Sequence, residues 1–326
     1  MNIITAIRQK AALANKKIVF PEGEEDRVIR AAAILKQENL IQPVLLGNPN
    51  IISQKARSLE VILEDIEMMN PLAAKKYTEE WSNILYETRK EKGMTIDEAR
   101  EKLGSSLYFG AFVVRTGRAN GSVAGSINTT GDVIRAGIHV LGLAKNVSVV
   151  SSSFLMVLSN GKVLTFGDCG VLPDPDAGQL ASIAISTART HQLLLNEEPI
   201  VAMLSFSTKG SAKHPLADKV IEATDLVRKT APALKIDGEL QFDAAYIPAI
   251  GEKKAPGSSV AGKANVYIFP DLNSGNIAYK ITQRLAGAEA YGPLIQGLNH
   301  PFMDLSRGCS TEDIVNVACI AAIMSS

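Results

Sequence analysis

The 326-residue chain has no excess charge of either sign, 34 Lys and Arg standing against 34 Asp and Glu. Without a long Lys/Arg block it lacks the electrostatic footprint of a nucleic-acid or membrane-surface binder, so neither partner is expected, and an anionic ligand must be met by local charges. Cysteine is scarce. Cys169, Cys309 and Cys319 are an odd set without a CxxC pair, which argues against both a disulfide framework and a zinc site, and no metal is expected. Long apolar runs are missing too: the longest apolar-rich stretch, from Ile314 to Met324, is interrupted by Asn316 and falls far short of the ~20 residues that span a bilayer. Arg8, Lys10, Lys16 and Lys17 break the region where a signal peptide needs an unbroken apolar segment, so a cytoplasmic protein is expected. No GxGxxG occurs, which removes the usual dinucleotide fingerprint. Internal repeats, low-complexity segments and obvious linkers are absent as well.

What is present is ordinary for a folded chain: 46% hydrophobic and 21% charged residues, in a length that suits roughly two domains at about 150 residues each. Short β-rich runs alternate with stretches of helical spacing. "KKIVF" is followed by the acidic turn "PEGEED", then by "RVIRAAAILKQ" and "QPVLLG", which together read as a βαβ unit. The pattern returns with "PIVAMLSFS" before "LADKVIEATDLVRKTA", and with "NVYIFP" before "NSGNIAYKITQRLA" and "YGPLIQG". Buried strands joined by helices predict an α/β fold with largely parallel, three-layer sheets. One antiparallel hairpin is expected in "SFLMVLSNGKVLTFGD", around Asn160-Gly161.

In such sheets ligands bind beyond the carboxyl ends of strands, so the loops there are the place to look. In "AGSINTTGDVIR", Ser126, Thr129, Thr130 and Asp132 are capping residues for a helix that carries Arg135, and exposed N–H groups at its start suit an anion. In "SFSTKGSAKHP", Lys209 and Lys213 either reach a phosphate or belong to a solvated loop. "GSSVAGKA" spells G-x-x-x-x-G-K, but Ala264 stands where a P-loop needs a hydroxyl for magnesium, and the loop enters a strand rather than a helix, which argues against a nucleotide site. In "DLSRGCSTEDIVN", "STED" has the form of a capping box, with Ser310 as N-cap and Asp313 at N3. Arg307 fits that picture poorly: a guanidinium near the positive end of a helix dipole is unfavourable unless an anion lies between them.

Taken together, "IVFPEGEEDRVIRAA", "VAGSINTTGDVIRA", "MLSFSTKGSAKHPLADKV", "IDGELQFDAA", "VAGKANVYIFPDLNSGNIAYK", "QRLAGAEAYGP" and "DLSRGCSTEDIVN" resemble the phosphate acetyltransferase family along nearly the whole chain, in its short form without an N-terminal extension. The resemblance implies reversible acetyl transfer between acetyl phosphate and coenzyme A, giving acetyl-CoA and phosphate. Coenzyme A is then a substrate, and no permanently bound cofactor is expected. It also implies a homodimer of two-domain αβα subunits with a cleft between the domains, one domain made of residues 1–141 plus 299–326 and the other of 142–298. Arg307 and Arg135 match the arginines that hold the phosphate of the acyl phosphate, with Arg89 and Arg27 as further anion contacts. Ser306 matches a hydrogen-bonding partner at the reacting centre, and Asp313 the base that takes the thiol proton. Ser126, Thr130 and Lys263, within matching motifs, complete the expected phosphate and coenzyme A contacts. "DCGVLPDPDAGQLA" departs from the family's usual "DCAVNPNPTAEQLA" at Gly170, Leu172, Asp174, Asp176 and Gly178.

The chemistry imposes its own demands on these residues. Direct transfer needs a thiolate, a stabiliser for the tetrahedral oxyanion and cations for the departing phosphate. A thiol near pKa 8.5 and an aspartate near 3.9 differ by about 4.6 units, roughly 6 kcal/mol, so Asp313 works as a base only if burial raises it or the arginines lower the bound thiol. Two other readings stand beside acetyl transfer: a phosphate butyryltransferase, and a non-catalytic acetyl-CoA-binding module similar to the C-terminal region of large malic enzymes.

Overall fold

The computed structural model describes residues 3–325 and divides the chain into two compact units, residues 1–144 with 298–326 and residues 145–297. Unit 1 runs α1 (Ile3–Ala14), β1 (Lys17–Phe20), α2 (Asp26–Gln37), β2 (Gln42–Leu46), α3 (Pro49–Ser58), β3 (Glu67–Met69), α4 (Lys75–Arg89), α5 (Ile96–Leu103), α6 (Ser106–Arg115), β4 (Gly121–Ala124) and α7 (Thr130–Val140). Unit 2 follows with β5 (Ser151–Val157), β6 (Val163–Gly167), α8 (Ala177–Leu195), β7 (Ile200–Leu204), α9 (Pro215–Thr230), β8 (Lys235–Leu240), α10 (Phe242–Tyr246), α11 (Pro248–Lys254), β9 (Val266–Ile268), α12 (Leu272–Leu285) and β10 (Glu289–Gln296). The chain then returns to unit 1 as β11 (Phe302–Asp304) and α13 (Thr311–Met324).

The unit 1 sheet has the order β11-β4-β1-β2-β3, with every pair parallel. Its strands are apolar on both faces because helices cover both. Val19, Val44 and Leu46 point into a cluster with Trp81, Phe109 and Phe112, beneath α4 to α7. On the sheet's helical cover, α13 packs on α1, α2, β1 and β4, and its residues from Ile314 to Ile323 are buried almost throughout, which explains an apolar run that is too short for a membrane. Among the described residues no helix is long and apolar enough to cross one. From β1 the chain winds through β2 to β3 on one side and places β4 and β11 on the other. The winding therefore reverses between β1 and β4, the kind of position where open α/β sheets bind ligands at the strands' carboxyl ends.

The unit 2 sheet has the order β10-β5-β6-β9-β7-β8 and is mixed. Strands β6, β9, β7 and β8 are parallel neighbours, while β5 and β10 join antiparallel. The expected β5–β6 hairpin is present, with Gly161 at φ +83° and the Leu158 N–H bonded to the Lys162 carbonyl at 2.9 Å. "YGPLIQG" also pairs antiparallel, as β10 against β5, which periodicity does not distinguish from a parallel strand because both are buried.

The altered segment after β6 has a local physical explanation. The buried Asp168 carboxylate accepts the backbone N–H groups of Ser152 (3.1 Å), Gly170 (3.0 Å), Val171 (3.3 Å) and Leu172 (2.8 Å), so the turn is held by main chain and tolerates changed side chains. Asp176, in place of the family's usual threonine, still caps α8 in a reciprocal box with Gln179. Cys169 is fully buried, and burial first, then the neighbouring Asp168 charge, push its thiol well above the ordinary range. It packs as a small apolar group close to Gly275 of α12, where a Cβ would meet the Asp168 carbonyl oxygen at 2.2 Å.

Candidate active site

Three loops leave the carboxyl ends of β1, β4 and β11 side by side, and one side chain from the first loop and one from the helix after it hold the other two in place. Glu22 is 4% exposed. Its Oε1 accepts the N–H groups of Gly125 (3.1 Å), Ile127 (3.2 Å) and Asn128 (2.9 Å) and the Asn128 side-chain amide (2.7 Å), while Oε2 accepts the Ser126 N–H (2.7 Å) and the Ser126 hydroxyl. Burial by itself raises a carboxyl's pKa, but the donors from Ser126, Asn128 and Gly125 outweigh it, and Glu22 titrates below the ordinary carboxylate range. Arg27, in the first turn of α2, donates Nη1–H to the carbonyls of Arg307 (2.9 Å) and Cys309 (2.7 Å), Nη2–H to that of Ser126 (3.1 Å) and Nε–H to Glu25 (2.7 Å). Four of its five N–H groups therefore have protein acceptors.

These ties bring Arg27, Ser126, Thr130, Ser306 and Arg307 together at the point where the winding reverses. The Ser126 hydroxyl is committed to Glu22. Ser306 and Arg307 are exposed, and the Arg307 guanidinium has no hydrogen-bond or salt-bridge partner among the described residues. The Ser306 Oγ accepts the Gly308 N–H at 3.2 Å. Thr129 caps α7 by accepting the Asp132 N–H, and the N–H groups of Thr130 and Gly131 have no acceptor among the described residues. Asp313 completes the box at the start of α13: the Ser310 N–H donates to its Oδ2 at 2.8 Å, and its own N–H donates to Ser310 Oγ at 3.1 Å. Its other oxygen, Oδ1, accepts no hydrogen bond from the described residues. Cys309 is 7% exposed, and burial raises its thiol pKa despite the opposing Arg27 charge.

Arg135, on α7, and Arg89, the last residue of α4, belong to a second cluster around His139. Arg135 pairs with Asp132 at 2.8 Å and lines a cavity of about 400 Å³ together with Asn128, Tyr108, Lys102 and Glu101. The Tyr108 hydroxyl lies 2.9 Å from His139 Nδ1. Burial first, then Arg89, Lys102, Arg135 and Lys92, lower His139 to about 4, so it is neutral at physiological pH and leaves the cations to act. Lys263 lies in unit 2, exposed, in a loop that does enter β9 as its sequence suggests. The other unit 2 lysine of interest, Lys209, is tied to Asp237 and the Gly238 carbonyl, and Asp237 also holds Arg228 and Ser258, so that cation is internally neutralised. Among the described residues no cluster of His, Cys, Asp and Glu forms a metal site.

Glu22 and Asp304 went unmarked in the sequence. Their signal is faint: one acid follows an apolar strand by two residues and the other ends one, each in a motif whose neighbours draw more notice. Asp304 ends β11, is 2% exposed, and accepts the Thr130 hydroxyl on Oδ2 at 2.6 Å, while its buried Oδ1 has no partner. Burial, with the Glu22 charge adding and the Thr130 hydrogen bond opposing, raises it to about 6.

This is the structure of an acyl-group transferase family. The family model described as phosphate acetyl/butaryl transferase matches residues 2–322, and the chain belongs to that family. Within it, the chain is 48% identical to a phosphate acetyltransferase of Acetivibrio thermocellus, over 100% of this chain and 98% of the relative. It is 46% identical to one of Thermoanaerobacterium thermosaccharolyticum, over 100% of each. A phosphotransacetylase crystal structure from Streptococcus pyogenes superposes with a TM-score of 0.94 at 43% identity, covering 99% of this chain and 98% of that one.

The raised Asp304 carboxyl makes a stability prediction. A group whose folded pKa lies above its unfolded value contributes fully below the unfolded value, and that contribution is lost as pH rises through the folded one. From 3.8 to about 6 is some two units, roughly 3 kcal/mol at about 1.36 per unit. Denaturant unfolding of wild type and Asp304→Asn across pH 4 to 8 is expected to show wild type losing about that much relative to the variant. A difference that stays constant with pH would show that folding leaves the Asp304 pKa where it stands in the unfolded chain.

Proposed function

We propose that this chain transfers the acetyl group reversibly between acetyl phosphate and coenzyme A, by direct thiolate attack in a ternary complex. The observation that carries the reading is the Arg307 guanidinium, exposed and without an acceptor beside the start of α13, on a chain of this family. An unpaired guanidinium there suits a phosphoryl dianion, and its fork matches two of the anion's oxygens. The free N–H groups of Thr130 and Gly131, with Arg135 and Arg89 farther along, extend the same positive surface toward the phosphates of coenzyme A. Arg27 acts mainly by holding the Arg307 and Ser126 loops, with one N–H left for an anion. Lys263 is kept as a coenzyme A contact, supported by its exposure alone.

The reaction balances without a net proton. The sulfur–carbon bond forms as the carbon–oxygen bond to phosphate breaks, the bonding pair leaves on phosphate, and the thiol proton passes by way of Asp313 to the departing phosphate. Oδ1 of Asp313 accepts that proton while Oδ2 stays in the capping box, and Arg307 and Ser306 stabilise the charge that develops on phosphate and carbonyl oxygen. The cations close the pKa gap from the thiol side, because they act on bound coenzyme A. The protein is read as a cytoplasmic homodimer. Support for the dimer is the apolar stripe of Ile277, Ile281 and Leu285, exposed at i, i+4 and i+8 on α12.

Release of thiol from coenzyme A substrate tests the activity itself. Acetyl-CoA and phosphate should exchange with turnover, and acetyl phosphate should outrun propionyl and butyryl phosphate. Binding without turnover would leave a sensor module, and a butyryl preference would reassign the substrate. Because the capping box exists, Asp313→Asn is expected to lose about 1 kcal/mol of stability in any case, so kcat decides: a base predicts a fall of about 10² to 10⁴, a mere cap almost none. Arg307→Ala should lose turnover by orders of magnitude with the fold intact, and Arg307→Lys should recover only part.

The raised Cys309 thiol predicts no acyl-enzyme. Cys309→Ala should keep substantial activity, and acetyl label trapped on that cysteine would overturn direct transfer. For the assembly, Ile281→Glu should shift the sedimentation coefficient from dimer to monomer; an unchanged dimer would put the interface elsewhere.

A further inference from the structure

Asp304 has no part in the reaction described above, yet it touches one of its ligand groups. Its Oδ2 accepts the hydroxyl of Thr130, the first residue of α7, at 2.6 Å, and its Oδ1 is buried without a partner against Gly125, where a Cβ would come within 2.4 Å of it. The other buried carboxylate, Glu22, accepts the Gly125 N–H, and its six donors keep it ionised. Two carboxylates meet at one glycine. One has every oxygen satisfied, and the other holds a single side-chain hydrogen bond with Oδ1 left unpartnered, so a proton taken up by the pair belongs on Asp304.

We propose that Asp304 is a positioning residue for acyl transfer, whose proton sets the direction of its hydrogen bond with Thr130. With Asp304 ionised, the Thr130 hydrogen is committed to Oδ2 and only its lone pairs face an incoming anion. With Oδ2 protonated, the carboxyl O–H donates to Thr130 Oγ1, and the threonine hydrogen is released to donate to a phosphoryl or carbonyl oxygen beside the free N–H groups of Thr130 and Gly131. The one covalent change is the O–H bond formed on Oδ2 by a proton taken up from solvent; everything else is a change of hydrogen-bond direction.

The surroundings leave little else to govern that proton. Glu22 is the charged group acting on Asp304 among the described residues, and it favours the protonated form. On α7, Asp132 is paired with Arg135. On α13, Glu312 is paired with Arg8 and Asp313 is engaged with Ser310. Burial first, with the Glu22 charge adding and the hydrogen bonds from Thr130 and the Leu305 backbone opposing, raises the ionisation to about 6, within reach of small pH changes in a cell.

The inference rests on the acyl-phosphate reading of the site, and kcat/KM for acetyl phosphate from pH 5 to 8 separates the two. The ratio of wild type to Asp304→Asn cancels the titration of the substrate itself. That ratio is expected to fall about tenfold as Asp304 ionises, the worth of one hydrogen bond to an anion, with the change in KM rather than kcat. Thr130→Val should lose the same inflection and Thr130→Ser should restore it; a structural role for either side chain would not produce that pattern. If Asp304→Asn does not fold, the Thr130 pair against wild type decides alone. A flat ratio, or an inflection that survives Thr130→Val, overturns the proposal while leaving acyl transfer standing. A wild-type enzyme that turns over no acetyl phosphate at any pH overturns the underlying reading instead.

Discussion

Everything at the site depends on one buried carboxylate that has no chemistry to perform. Glu22 gathers four successive N–H groups, from Gly125 to Asn128, and forces that loop into a fixed concave turn. The turn in turn sets where α7 begins, and so where Thr130 and the free N–H groups of the first turn point. A buried charge is tolerable only because those donors replace its hydration. Arg27 then fastens the β11 loop to the same frame through the carbonyls of Ser126, Arg307 and Cys309. Arg307 can remain unpaired because its backbone, rather than its guanidinium, carries the structural load.

Unit 2 repeats the device. Asp168, directly after β6, collects N–H groups from Ser152 and from residues 170–172, and Glu239 accepts the Ser207 hydroxyl (2.9 Å) and the Gly210 N–H (2.7 Å). A carboxylate at the carboxyl edge of a parallel sheet meets loops that turn sharply away from the strands and leave their N–H groups without ladder partners. Its charge answers several of them at once. The contrast with Asp304 is one of donor number. With far fewer donors, the same burial that Glu22 withstands raises the Asp304 carboxyl.

The alternation of strands and helices, the Asn160-Gly161 hairpin, and the capping box from Ser310 to Asp313 were all legible from residue type and spacing. Each is local: a turn needs a positive φ, a helix start needs an acceptor for its orphan N–H groups, and a buried strand needs apolar side chains. The family, too, was legible, because its motifs lie in the loops where strands end. Less visible was the work of Arg27, which in the sequence looks like one more cation for phosphate. Its donors are engaged by carbonyls 99 to 282 residues away in the chain, and backbone carbonyls carry no sequence signature.

The sequence by itself determined the alternating α/β pattern, the family, and the set of arginines and acids in its strand-end motifs, since these follow from short-range periodicity and from motifs at strand ends. Only the tertiary structure decided which of those groups are free. It sorted Arg307 from Arg27, gave Cys309 to the interior, left Asp313 one open oxygen, and brought Glu22 and Asp304 against Gly125. That sorting depends on burial and on partners brought from distant parts of the chain, and a charge's availability is a property of its surroundings.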